Sequence, residues 1–121
     1  MRWPCLSSSA TWPELARRVE PARHELPAID EAALAAARSA DKLLQYARER
    51  GLERWAIFLA PVPGQLRDAA VGELRVVALR ARAAYGSKDS IRELLPAELT
   101  EPFLTDIDRL RKALAREMAE R

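Results

Sequence analysis

The sequence predicts an all-α fold, a compact bundle of about five to six helices, three of them long (31–50, 65–85 and 101–119). Apolar residues recur at alternating three- and four-residue spacings over long windows, as helices with one buried stripe require. Prolines, glycines and small polar residues punctuate those windows where helix ends belong. The one short run open to a strand reading, 54–60, would have no pairing partner for its backbone groups.

Residues 1–10 show no periodicity and contain Pro4 and three consecutive serines, so they read as a flexible lead-in to a single helical domain over 11–121. Thr11 and Glu14 have capping-box spacing, which opens a helix at Trp12 with Leu15 and Val19 on one face. Pro21 ends it near Glu20 because it removes a backbone donor and crowds the preceding turn. The piece from Pro21 to Pro27 is a connector.

Asp30 suits an N-cap, with Ile29 and Leu34 placed to close a hydrophobic staple over the second helix. Ala33, Ala37, Ala40, Leu44 and Ala47 then form its packing stripe. So much alanine implies close approach of another helix. Gly51 is placed as the left-handed cap, with Leu52 folding back on Ala47.

Glu53 to Ala60 is apolar nearly all round and reads as a short buried helix, stopped by Pro61 and followed by a turn through Gly64. Gln65 to Ala84 carries Leu66, Ala70, Leu74, Val77, Ala81 and Ala84 as a core stripe, widened by Val71, Val76 and Leu79. It is the expected central helix, with Gly72 costing it about 1 kcal/mol and Gly86 ending it. Ser87 to Leu95 reads as a short helix entered through Ser87 or Ser90, with Glu93 at capping-box spacing from Ser90. Thr100 caps the last helix, whose seam is Phe103, Ile107, Leu110, Leu114 and Met118, with an Asp108–Lys112 ion pair on its surface.

Composition bounds the function classes. A chain of 121 residues with 49% hydrophobic and 31% charged side chains is one globular domain with a real core. Cys5 is the sole cysteine, so no intramolecular disulfide forms and a reducing cytoplasm is the expected compartment. The first residues lack the apolar run of a secretory signal. The longest apolar run, Trp55 to Ala60, is far short of the 18 or so residues of a membrane span.

His24 is the only histidine, which removes His pairs, Ser/His/Asp sets and His-rich metal sites. The spacing from Arg17 or Arg18 to His24 is similar to the Arg-x4–6-His pattern of HEPN-type ribonucleases. Pro21 interrupts the helix between those positions, and the usual polar residue after the arginine is missing. Cys5 has no neighbouring base, Asp106 and Asp108 point to different helix faces, and Gly64 and Gly86 stand alone. The expectation is therefore a non-enzyme without metal or cofactor.

The strongest pointer to a partner is Leu74 to Arg92, with five basic residues against one acidic. Arg75 and Arg82 share a face and Lys88 and Arg92 continue it past Gly86, a basic ridge suited to sequence-independent contact with a nucleic-acid backbone. Arg80 lies elsewhere on the helix. The whole-chain charge of only +2 favours an ordinary solvated surface. Trp55 belongs to the core and Trp12 staples the first helix, whereas Trp3 is a partner-binding candidate. Val76 and Leu79 join Trp3 because they are surplus to the core stripe, which points either to a central helix surrounded by its neighbours or to a face covered by another subunit.

The functional expectation is a non-catalytic helical subunit of a larger assembly, binding protein or its own copies, with nucleic-acid contact through the basic edge. The alternative is a stand-alone protein–protein adaptor or antitoxin-like partner that binds no nucleic acid. A HEPN-like ribonuclease comes third.

Overall fold

A computed structural model describes residues 21–86 and 90–120, and every regular element among them is helical. The α-helices are α1 (Pro27–Glu49), α2 (Glu53–Leu59), α3 (Val62–Asp68), α4 (Val71–Ala83) and α5 (Ala97–Glu120), with 3₁₀ turns at Arg23–Glu25 and Ile91–Glu93. Ala60 and Pro61 keep helical backbone angles between α2 and α3, so these two form one bent arm. Among the described residues the bundle thus has four helical bodies, rather than the five or six expected. The lead-in and the helix from Trp12 lie outside the described residues.

α1 begins one turn earlier than expected. Pro27 occupies the first turn, where its fixed φ suits a helix and its missing N–H goes unneeded. Asp30 is therefore inside the helix rather than its cap. Nine residues of α1 are buried, and six of them are alanines: Ala32, Ala33, Ala36, Ala37, Ala40 and Ala47. The face is broader than the predicted stripe because α1 packs against α5 on one side and the α2–α3 arm on the other. At its end Gly51 has φ +68°, the Leu52 N–H donates to the Ala47 carbonyl at 2.9 Å, and the Gly51 N–H donates to Arg48 at 3.3 Å. That is the expected Schellman closure.

α2 is a helix, as expected, but buries only Trp55 and Leu59; Ile57 is 69% exposed. Phe58 meets the Trp55 ring edge-on at 5.7 Å.

The expected helix over 65–85 is broken. Ala69 and Ala70 are extended, with ψ of 144° and 163°, and separate α3 from α4. A distant residue stabilises the break. Arg23 Nη1 donates to the carbonyls of Leu66, Arg67 and Ala69 at 2.8, 2.7 and 3.1 Å, satisfying C-terminal acceptors that a continuous helix would have used. Arg23 Nε donates to Asp30 Oδ1 at 2.9 Å and Nη2 lies 2.8 Å from the same oxygen, so the guanidinium ties the start of α1 to the end of α3. On the α4 side, the Ala70 N–H donates to Glu73 Oε1 at 3.4 Å. Arg67 pairs with Asp41 and holds α3 along α1.

α4 is therefore not the central helix. It packs on α5 and α3 through Val71, Leu74, Val77, Ala78 and Ala81. Ala70, expected in the core, is exposed, and Val71 is buried in its place. The helix ends in tightening turns, in which Ala84, Tyr85 and Gly86 each donate three residues back. Gly86 does so without positive φ. Of the expected helix over 87–95, residues 87–89 lie outside the described residues and the rest forms only the Ile91–Glu93 turn, capped by Ser90 Oγ, which accepts from the Arg92 N–H at 3.1 Å.

α5 starts at Ala97, so Thr100 is a buried helical residue rather than a cap. Phe103, Ile107, Leu110 and Leu114 are buried as the seam predicted, but Met118 is 54% exposed. Asp108 turns away from Lys112 toward Arg82 and Arg111, each at 3.5 Å. α5 runs antiparallel to α1: Ser39 Oγ donates to Asp106 Oδ2 at 2.6 Å near their middles, and a concavity at one end joins Pro27 and Ile29 of α1 to Ala113 and Arg116 of α5. It is also antiparallel to α4, since Arg82 meets Asp108 while Arg75 lies beside Met118.

Replacing Arg23 with alanine removes three carbonyl bonds and the Asp30 pair from a side chain only 12% exposed. The variant is expected to lose about 3 kcal/mol of unfolding free energy by urea titration, with Arg23→Lys recovering only part because an ammonium lacks the planar fork.

Candidate functional site

α4 carries two apolar stripes. Val71, Leu74, Ala78 and Ala81 face inward, while Val76, Leu79 and Ala83 repeat at helical spacing on the opposite side. Val76 and Leu79, singled out as partner-binding candidates, are 57% and 55% exposed. No described helix covers them. A groove of about 270 Å³ runs between α4 and α5, lined by the buried Ala78 and Leu114, the exposed Leu79, Ala115 and Met118, and Arg75 and Arg111. On the other side of α4 a second concavity of about 460 Å³ lies between Ile57 and Phe58 of α2 and Arg80 and Ala83 of α4. The outer stripe of α4 is the ridge between the two.

The basic ridge is less continuous than the sequence suggested. Arg82 is half-buried and paired with Asp108. Arg92 is held by Glu101 through Nε to Oε2 at 2.8 Å and Nη2 to Oε1 at 3.2 Å, a bidentate hydrogen bond that raises the Arg92 pKa. Its guanidinium also lies 5.3 Å over the Tyr85 ring. Arg75 is half-buried beside the groove. Lys88 and Trp3 lie outside the described residues. Of the three predicted contacts that are described, Arg82 and Arg92 already hold carboxylates.

Sequence reasoning passed over Met118 and Ile57, because each continues an apolar pattern past the point where its helix has cover. Arg80, which the sequence set apart from the Arg75–Arg82 edge, stands one turn beyond Val76 on the exposed face. The available signal was the second stripe itself, readable from Val76, Leu79 and Ala83.

His24 is exposed in the first 3₁₀ turn, while Arg17, Arg18 and Cys5 lie outside the described residues. Among the described residues no group of three or more His, Cys, Asp or Glu side chains gathers into a metal site, and no helix is long and apolar enough to cross a membrane. No protein-family model, curated protein or solved structure matches the chain.

The segment between α4 and α5 is fastened at Tyr85. Its hydroxyl donates to the Thr100 carbonyl at 2.5 Å, and the Ile91 N–H closes onto Ala84 at 2.9 Å. Burial raises the Tyr85 phenol well above its ordinary 10.0; Glu101 adds to the rise, while Arg92 and Arg82 oppose it. The folded state thus holds this proton more tightly than the unfolded chain. Its contribution to stability is complete below pH of about 10 and is lost as pH rises from there toward the folded value. Tyr85→Phe is expected to cost about 1 kcal/mol at neutral pH and to lessen the alkaline fall in urea midpoint.

Proposed function

We propose that the chain is a non-catalytic helical interaction protein that binds another protein through the outer face of α4 and its groove with α5. The exposure of Val76 and Leu79 side by side carries this reading, since large apolar side chains clustered beside a concavity mark interaction sites. Membership of a larger assembly fits the same face. Nucleic-acid contact is the weaker component, because Arg82 and Arg92 already hold carboxylates. The lone Cys5 supports a reducing cytoplasm as the compartment.

Affinity co-purification from the native cells tests the reading. A protein partner is expected with wild type and with Lys42→Glu on exposed α1 surface, and its loss is expected with Val76→Glu/Leu79→Glu. Both side chains are more than half exposed, so that double variant should keep its unfolding free energy within about 0.5 kcal/mol per substitution, by urea titration. An unchanged partner set in the double variant would remove α4 as the interface. Partners released by nuclease, or a salt-sensitive gel shift abolished by changing Arg75, Arg80 and Arg82 to glutamine, would instead establish nucleic-acid binding.

A further inference from the structure

We infer that the occupant of the α4 face is an acidic amphipathic helix of a partner protein, its apolar anchors against Val76 and Leu79 and its carboxylates on Arg75 and Arg80. This rests on the preceding reading that the face is an interaction surface, and adds the chemistry of what it receives.

Charge complementarity carries the inference. Along the exposed side of α4 the order is Arg75, Val76, Leu79, Arg80, so guanidiniums bracket the apolar pair at both ends. Among the described residues no carboxylate pairs with Arg75 or Arg80, whereas Arg82, Arg92 and Arg111 each have one. Glu73, the acid on α4, is engaged with the Ala70 N–H. The apolar face thus carries uncompensated positive charge, and a partner that buries it must bring negative charge to the same place.

Shape selects the form of that partner. The groove is a trough between two antiparallel helices, lined in part by Ala78 and Ala115, and accepts the side chains of a third helix at i, i+3 or i+4, and i+7. α4 has 13 residues, about 20 Å of axis, enough to lie against three to four turns. A second copy docked isologously would set these same arginines against themselves. A phosphate backbone would meet apolar side chains between the guanidiniums, and a flat membrane surface would leave the groove beside Leu79 unfilled.

The test uses the full chain and two fluorescent peptides of about 18 residues, with leucines at i, i+4 and i+7 and otherwise alternating alanine with either glutamate or lysine. Fluorescence anisotropy is expected to show the glutamate peptide binding at least about tenfold tighter than its lysine twin, with the advantage shrinking at high salt. Leu79→Asp should abolish binding, and Arg75→Glu/Arg80→Glu should reverse the preference, with circular dichroism verifying that both variants are folded. Leu79→Asn provides the same comparison should the aspartate variant fail to fold. Equal affinity, preference for lysine, or binding of single-stranded RNA or anionic vesicles in place of the acidic peptide would overturn the inference. If neither peptide binds while Leu79→Asp converts a dimer to a monomer by light scattering, the interaction face stands and the acidic helix does not. If Leu79→Asp alters neither peptide binding, mass nor co-purifying partners, both readings fall.

Discussion

One guanidinium sets the path of the chain. The C-terminus of a helix presents unpaired carbonyls and the negative end of its dipole, and Arg23 meets two such carbonyls of α3 and that of Ala69 just past it while paired with Asp30 of α1. The arginine sits in the turn just before α1, so one side chain fixes where α1 begins and where α3 stops. Because α3 stops, two extended alanines redirect the chain and α4 leaves the α1 surface for α5. Both the bent arm packed on α1 and the lateral position of α4 follow from that redirection.

A helix at the side of a bundle buries one stripe and leaves its other side to solvent. α4 is apolar on both sides, and among the described residues only the inner side is packed against the rest of the bundle. Its ends are well fixed: Glu73 closes the first turn, and beyond the last turn Tyr85, Arg92 and Glu101 fasten the connection to α5. The same fastening consumes charge that would otherwise extend a basic surface. What remains outward is a short apolar segment between two arginines, held rigidly in place.

The sequence was most legible where structure is local. The alanine stripe of α1, the Gly51 closure and the Phe103-to-Leu114 seam depend on spacing within one element, and spacing is visible in the chain. The break at Ala69–Ala70 was not legible, because two alanines are good helix formers and the residue that stabilises the break lies 46 positions upstream of Ala69. Asp30 looked like a cap because its side chain suits one, whereas α1 already begins at Pro27 and the Asp30 carboxylate is taken by Arg23. Of the candidate site, Val76 and Leu79 were found because they were in excess of the core. The neutralisation of Arg82 and Arg92 was hidden because their carboxylates belong to another helix, and helix surface charges reveal partners in sequence only at three- or four-residue separation.

The six buried alanines of α1 divide the chain into parts with unequal freedom to change. Helix backbones that approach over alanine leave no room for an added methylene, so a larger side chain there forces the pair apart and disturbs every layer above it. The outer stripe of α4 has no such neighbour among the described residues. Substitution is confined by α1 and tolerated by α4, so descendants of this chain can acquire a new partner by altering a few side chains on one helix while inheriting the same scaffold.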